Sequence, residues 1–362
     1  MGKKKVLIGL SGGVDSSVAA ALLVEQGYDV IGVTLKLYDY AELDFDPPDG
    51  GCCSISLIDD ARSVCSRLNI PHYVLDLRDS FQRNVIDDFM ESYSRGRTPN
   101  PCVNCNTHIK WGEMLKIADK LGCQFVATGH YARIDRSYKI PRLLKGLDRS
   151  RDQSYALWGI PRDTLARTLL PLGELTKRET REIAKRNNFR NAERPDSQEI
   201  CFVPAGDYSY IIRQRFGNNN PSLKPGPIYN SEGKTIGEHK GYANYTIGQR
   251  RGLGISYPAP LYVTRINPDD GSITVGVKER LFATRFTVVR VNLLVSSEEI
   301  PGKIDVKIRY RHRARAATLR LKGDNGEVIF DEPQRAITPG QSAVFYDDDL
   351  VIGGGAIVKV LG

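Results

Sequence analysis

The sequence predicts a doubly wound α/β domain with a mostly parallel sheet, then a small β-rich central domain and a C-terminal β-barrel. Three observations carry this. From residue 6 to about 200, short β-rich runs alternate with longer helical stretches, the pattern of strands feeding crossover helices. Between 217 and 260 the helical period disappears and glycines recur from Gly217 to Gly254 with prolines between them. From about 283 the chain turns to short alternating strands separated by turn signals, as in a small barrel.

The expected strands of the first region are 6–10, 30–37, 72–76 and 125–128, with helices at 16–26, 56–68, 81–92 and 111–121. A further helix at 176–187 carries Thr176 as N-cap, with Glu179 three residues on to close a capping box. Expected barrel strands are 303–311, 318–321, 327–330 and 342–346, with Gly323-Asp324-Asn325-Gly326 as a turn. Domain boundaries follow at 1–205, 206–282 and 283–362.

A chain of 362 residues exceeds one ordinary domain, and 41% hydrophobic with 26% charged residues suits packed cores. No segment approaches the roughly 20 apolar residues of a membrane helix. Lys3, Lys4 and Lys5 before an apolar run imitate an export signal. Ser11 to Gly13 and Asp15 interrupt that run, so a buried first strand and a cytoplasmic protein are expected. The net charge of +8 points to a polyanionic partner only where the charge gathers on one face. Seven cysteines without an export signal read as metal-binding or catalytic before disulfide-forming.

The sharpest local signal is Ser11-Gly12-Gly13-Val14-Asp15-Ser16-Ser17, between the first strand and the first helix. Glycines there bring backbone N–H groups close to an oxyanion, the helix N-terminus adds partial positive charge, and the hydroxyls add donors. Neither the Walker pattern nor the dinucleotide GxGxxG is present. The heptapeptide resembles the pyrophosphate loop of enzymes that split ATP into AMP and pyrophosphate, which makes Asp15 the Mg²⁺ ligand to expect. Thr128-Gly129-His130-Tyr131-Ala132-Arg133 follows a strand end, where open α/β sheets bind ligands. Gly129 there would admit the adenine, and His130 reads as a ligand contact or as a satisfied core histidine.

Pro99-Asn100-Pro101-Cys102-Val103-Asn104-Cys105-Asn106 reads as a stiff loop that positions a nucleophile, and Cys201 lies in a third motif, Pro195 to Phe202. A thiolate can carry a transferable sulfur as a persulfide, and a second thiol can release it by attacking the inner sulfur. A structural zinc site would need further ligands, and His108 with Cys201 is the only set the spacing offers. Cys65 and Cys123 read as ordinary buried cysteines, while Cys52 and Cys53 beside Gly50-Gly51 have no assigned role.

Lys307, Arg309, Arg311, Arg313 and Arg315 alternate with other residues, so one continuous strand would set all five on one face, roughly 6.6–7 Å apart. That spacing suits successive phosphates of a nucleic acid, and Arg250 and Arg251 extend the same basic surface.

Taken together, SGGVDSS, TPNPCVNCN, ATGHYAR, RDQSYALWGI, PDSQEICF, GYANYTIGQRRGLGIS and KIRYRHRAR resemble the bacterial tRNA 2-thiouridylase family along nearly the whole chain. The resemblance implies an adenine nucleotide α-hydrolase-like fold and ATP-dependent thiolation at C2 of the wobble uridine U34. It implies ATP contacts at Gly9, Leu10, Ser11, Gly12, Gly13, Val14, Asp15, Ser16, Leu35 and Gly129. Contacts to the target base fall on Asn100, Pro101 and Cys102, and further tRNA contacts on Arg151, Asp152, Gln153, Arg309 and Tyr310. Cys105 takes the place of the catalytic nucleophile and Cys201 that of the persulfide carrier. The implied partners are the tRNAs for Glu, Gln and Lys, and a cysteine desulfurase or sulfur-relay carrier as donor.

One departure stands out: many family members carry aspartate where this chain has Cys102. Cys102, Cys105 and Cys201 together form a three-thiolate set that would suit a [4Fe–4S] cluster, so a cluster route stands beside the persulfide route and gives the third cysteine a purpose. An amidating synthetase or a non-catalytic tRNA-binding protein are the competing functional readings.

Overall fold

The computed structural model describes residues 2–38, 55–195, 200–203, 208–217 and 219–361. Cys52, Cys53 and residues 196–199 of the third cysteine motif lie outside the described residues.

Strand β1 (Lys5–Gly9) buries Val6, Leu7 and Ile8 completely, as a central strand covered on both faces must. It pairs in parallel with β2 (Asp29–Lys36) on one side and β4 (Phe125–Ala127) on the other. β3 (His72–Asp76) and a two-residue β7 (Thr168–Leu169) complete a five-stranded parallel sheet in the order β3-β2-β1-β4-β7. Helices α1 (Val14–Glu25) and α2 (Ile55–Leu68) connect its first three strands. The order reverses between β1 and β4, so the carboxyl ends of these two strands open the crevice in which such sheets bind ligands. The four expected strands of this region and its first two helices stand within two residues of their sequence positions.

Four boundaries or elements differ. Helix α3 (Arg78–Phe81), a π-helical stretch Gln82–Ile86 and α4 (Asp87–Ser94) form one longer run than expected. The Pro99–Asn106 segment is not a loop: Pro101 occupies the first turn of α5 (Pro101–Asn104), which runs on through a π-helical stretch, Cys105–Glu113, into α6 (Met114–Lys120). Proline favours that first position because the amide it lacks would have no intrahelical partner there. A hairpin, β5 (Ala132–Asp135) with β6 (Arg142–Lys145), was not foreseen. Nor was α8 (Tyr208–Phe216), which precedes the central sheet.

Helix α7 (Lys177–Arg186) is capped as expected: Thr176 Oγ1 accepts from the Glu179 amide, and the Glu179 carboxylate accepts from the Thr176 amide at 2.7 Å. The central domain is a four-stranded sheet of β8 (Gly226–Tyr229), β9 (Thr235–His239), β10 (Tyr262–Asn267) and β11 (Ser272–Gly276), in the order β10-β11-β8-β9. The last region is a barrel of β12 (Phe282–Leu293), β13 (Ile304–Lys307), β14 (Arg315–Lys322), β15 (Asn325–Arg335), β16 (Ser342–Asp347) and β17 (Leu350–Val360). The pairing of β12 with β17 closes it, and the β5–β6 hairpin joins its outside through Leu144 and Leu350.

The basic strand is broken. β13 ends at Lys307 and β14 begins at Arg315, because the two pair antiparallel, Val306 against Arg315, and the residues between must turn. Arg309, Tyr310, Arg311, His312 and Arg313 therefore sit on a hairpin loop, closed by the His312 amide donating to the Arg309 carbonyl at 3.0 Å. The five cations do not share one strand face.

One apolar core runs across the first and last regions: Leu7, Trp111 and Met114 belong to the same cluster as Tyr155, Trp158, Val344, Tyr346 and Val351. Replacing Thr176 with alanine removes the α7 cap and is expected to lower unfolding free energy by about 0.5–2 kcal/mol, read as a lower urea midpoint at unchanged m-value.

Candidate active site

The phosphate loop is built as its sequence requires. Gly12 has φ +75°, and a Cβ there would meet Leu57 O at 2.3 Å, so only glycine lets α2 lie against the loop. Ser16 and Ser17 hydroxyls donate to the Gly13 carbonyl at 3.1 and 3.0 Å, and Ser11 N–H reaches Ser16 Oγ at 3.2 Å. Buried Asn191 holds the far side, donating to Gly12 O at 2.7 Å and Ser17 Oγ at 3.0 Å. Gly9 ends β1 against the Met114 side chain, Leu10 and Val14 are buried, and Leu35 sits half-buried near the carboxyl end of neighbouring β2. Gly129 closes the crevice from β4. A Cβ on it would meet Ser16 N at 2.7 Å and Asp15 C at 2.8 Å, so its smallness serves the packing of β4 on the first turn of α1.

Asp15 is held by residues that sequence reasoning missed. Lys177 Nζ, on a buried lysine, lies 2.8 and 2.9 Å from its two carboxylate oxygens. The Tyr131 hydroxyl donates to Asp15 Oδ1 at 2.8 Å and stands 3.0 Å from Thr180 Oγ1. Nothing in the sequence ties position 177 to position 15; the contact arises because α7 packs beside α1.

From the loop a cleft wall leads to the first cysteine. His130 follows Gly129, shares a 2.7 Å hydrogen bond with Thr128 Oγ1 through Nδ1, and lies against Trp111 with ring centres 5.9 Å apart. Its surrounding protein, and then the charge of Lys110, hold its pKa well below the ordinary histidine value, so the ring is neutral at pH 7. Lys110 donates to Asn106 Oδ1 at 2.9 Å, and Asn106 donates to the Ala156 carbonyl at 2.8 Å. Cys102, Asn106 and Lys110 are spaced by four along one helical run, so they line one side of it. Solvent reaches Cys102, yet surrounding protein pushes its thiol pKa up while Lys110 opposes the shift.

The barrel supplies the other wall. Thr98 N–H donates to the Pro339 carbonyl at 2.9 Å, and Gln341 Nε2 donates to the Thr98 and Pro99 carbonyls at 2.9 and 3.3 Å. Asn100 hydrogen-bonds to Tyr155, whose hydroxyl donates to Ser342 O at 2.8 Å. Tyr310 stacks edge-on to Tyr155 at 6.2 Å, and the Lys307 ammonium lies 5.6 and 5.4 Å from the centres of these two rings. Burial lowers the pKa of Lys307 and of Arg309 and raises that of Tyr310. Arg309 donates to the Arg335 and Ala336 carbonyls at 3.0 and 3.3 Å, Arg311 and Arg313 are exposed, and Arg151 adjoins Tyr310. Asp152 is buried and its carboxylate accepts from Gly146 N, Ser154 N and Ser154 Oγ at 3.0 to 3.1 Å. Gln153 Oε1 accepts from Tyr131 N at 2.9 Å. Those two residues shape the strip on which Arg151 stands.

Cys105 and Cys201 are separate from the exposed Cys102. Both are half-buried and pack against one apolar cluster of Tyr38, Phe81, Phe89, Ile109 and Phe202, and the Tyr38 hydroxyl donates to the Cys201 carbonyl. Among the described residues no three His, Cys, Asp or Glu side chains stand close enough to hold a metal ion. The three thiols are therefore not gathered as a cluster ligand set, and His108 with the cysteines forms no zinc site. Cys65 and Cys123 are buried as expected, and burial pushes the Cys65 thiol up to about 12.

A phosphate loop at the switch point of a parallel sheet places the protein among nucleotide-binding α/β proteins, and the family models are specific. The tRNA methyl transferase HUP domain matches residues 4–205, the tRNA methyl transferase PRC-barrel domain 214–277 and the aminomethyltransferase beta-barrel domain 283–357. The chain is 46% identical over 366 residues to the tRNA-specific 2-thiouridylase MnmA of Carboxydothermus hydrogenoformans, covering 100% of this chain and 99% of that protein. It is likewise 46% identical to proteins of the same name from Clostridium perfringens, over 100% of both chains, and from Clostridioides difficile, over 99% of both. The chain belongs to the tRNA-specific 2-thiouridylase family. No helix of the described residues is long and apolar enough to cross a membrane.

All five histidines have pKa values held below the ordinary 6.5, chiefly by burial, with His312 lowered to about 4. The unfolded chain takes up these protons near pH 6.5 and the folded chain does not, so stability falls as pH drops from 6.5 toward 4. Denaturant midpoints at pH 7.5 and 5.5 should show the lower value at 5.5, with net proton uptake on unfolding; equal midpoints would contradict the burial assignment.

Proposed function

We propose that the protein is an ATP-dependent tRNA-uridine 2-sulfurtransferase that converts C2 of the wobble uridine to 2-thiouridine. The observation that carries the reading is the single cleft wall leading from the phosphate loop through His130, Lys110 and Asn106 to Cys102. It sets a nucleotide site beside thiols and beneath a basic hairpin loop, in a chain whose full-length relatives are named tRNA-specific 2-thiouridylase.

ATP binds with its phosphates on the loop amides and the Ser11, Ser16 and Ser17 hydroxyls, at the N-terminus of α1. The C2 oxygen of the base attacks the α-phosphorus and pyrophosphate departs. Adenylation is needed because a carbonyl oxygen is a poor leaving group, whereas AMP is a good one. Mg²⁺ suits the site by donor chemistry, since Asp15 offers the hard carboxylate oxygen beside the phosphates and such ions take their remaining ligands from phosphate and water. A bound Mg²⁺ would be held by Asp15 and would supply neutralising charge to the phosphates, and Lys177, 2.8 Å from Asp15, would add its own positive charge there.

The sulfur step follows the persulfide route, because Cys105 and Cys201 share one apolar wall whereas the three thiols do not converge on a cluster site. Cys201 receives a sulfur atom from a donor protein. The Cys105 thiolate attacks the inner sulfur, hydrosulfide leaves, and a Cys105–Cys201 disulfide remains for an external thiol to reduce. Hydrosulfide adds to C2, loses its proton and expels AMP. Cys102, exposed on the cleft floor, faces the base rather than carrying sulfur. The tRNA backbone lies along Arg151, Arg309, Tyr310, Arg311 and Arg313, with Arg250 and Arg251 exposed beyond them. The tRNAs for Glu, Gln and Lys, a cysteine desulfurase or relay carrier as donor, and a cytoplasmic setting complete the reading.

Unmodified tRNA with ATP should release pyrophosphate and AMP and no ADP. Cys105→Ala should keep tRNA-dependent pyrophosphate release and lose 2-thiouridine formation by a factor on the order of 10³ or more, as loss of a nucleophile does. ADP as product, or a C105A variant that still thiolates at full rate, would overturn the reading.

A further inference from the structure

Lys110 stands on the cleft wall. Among the described residues it donates to the neutral Asn106 Oδ1 at 2.9 Å, and no carboxylate forms an ion pair with it. Asn106 is itself fixed, 2% exposed and anchored through Nδ2 to the Ala156 carbonyl at 2.8 Å. Helical side chains lean toward the helix N-terminus, so this bond draws the ammonium back along the wall toward Cys102. On its other side the next residue, Trp111, carries the His130 ring, and Gly129 before that ring lies on the Asp15–Ser16 backbone of the phosphate loop. The charge of Lys110 is felt at both Cys102 and His130, which brackets it between the nucleotide loop and the base-facing thiol. A half-buried lysine normally meets a carboxylate, and one without it is a site for an anion that arrives from outside.

The reaction supplies that anion at this place. We propose that Lys110 is a catalytic residue that holds the α-phosphoryl group as it passes to the base and leaves as AMP. The inference rests on the functional reading above. In the first step a bond forms between O2 of the base and the α-phosphorus, the bond to the bridging oxygen breaks with its electron pair going to pyrophosphate, and the N3 proton passes to water. In the second the C2–S bond forms and the C2–O bond breaks with its pair going to AMP. The adenylated base carries one negative charge on its phosphoryl group and departing AMP gains a second. A fixed cation therefore binds the transition state for departure more strongly than the intermediate, the condition for raising kcat and not affinity alone.

The test uses full-length protein, unmodified tRNA and ATP labelled at the α-phosphate, with tRNA-dependent pyrophosphate release measured without sulfur donor and AMP release with sulfide. Lys110→Gln should lower kcat for AMP release by a factor on the order of 10²–10³, typical for removal of one charge-stabilising donor, with KM for ATP and tRNA little changed. Lys110→Arg should retain much of the rate. Lys110→Ala should be rescued saturably by added ethylammonium, a response that a purely structural lysine would not give. As an independent readout, alkylation of Cys102 followed by peptide mass spectrometry should move its midpoint to higher pH in K110Q, because the neighbouring cation is gone. Wild-type kcat in K110Q overturns the inference. So does a loss of rate in K110A that ethylammonium leaves unmoved while K110R is equally inactive. A wild-type protein that releases no pyrophosphate with tRNA overturns the functional reading itself, and this inference with it.

Discussion

The contact between the Thr98–Pro99 backbone and the Pro339–Gln341 turn of the barrel sets the rest of the site. Three backbone-directed hydrogen bonds join the two segments, and Gly340, at φ +94°, has no room for a Cβ because Thr98 N would lie 2.8 Å from it. This fixes where Pro101 can start its helix. The helix start in turn fixes Cys102, Asn106 and Lys110 as one wall and brings the Arg309–Arg313 loop over it. The Tyr155 hydroxyl on Ser342 O and the core shared by Trp111, Trp158 and Val344 make the junction continuous. The parallel sheet and the barrel therefore share one continuous junction, with the Arg309–Arg313 loop on the barrel side.

Two environments divide the thiols. Cys102 is exposed and lies within electrostatic reach of Lys110 and Tyr310. Cys105, three residues on, turns to the apolar wall it shares with Cys201. Asp15 shows a parallel economy: its charge is matched by Lys177, so the acid is not left bare beside the loop.

Much of this was legible in sequence because it depends on local chemistry. The β1 apolar run, the glycine and serine loop, the Thr176–Glu179 box and the Gly323-Asp324 turn each act within a few residues, and each stands where the residues put it. What was missed depends on pairing partners far along the chain. Alternation at Lys307–Arg315 is equally compatible with a strand and with a hairpin, and only the pairing of Val306 with Arg315 decides for the hairpin. Pro101 was read as a loop former because proline stiffens loops and opens helices alike. The Lys177–Asp15 pair and the Lys110–Asn106 bond have no marker except, for the second, a spacing of four that becomes visible once the helix is known. Gly129 was singled out for the approach of a ligand, and in the fold its smallness also serves packing on Ser16.

The central claim is that a nucleotide site and a two-thiol sulfur relay work in one cleft without iron. The most direct measurement is 2-thiouridine formation on unmodified tRNA by anaerobically purified, iron-free protein, given ATP, Mg²⁺ and a persulfide donor, with an iron–sulfur-reconstituted sample run beside it. The account predicts full thiolation in the iron-free sample and no gain on reconstitution. Thiolation that appears only after reconstitution would contradict it and would make Cys102 a metal ligand in a rearranged site.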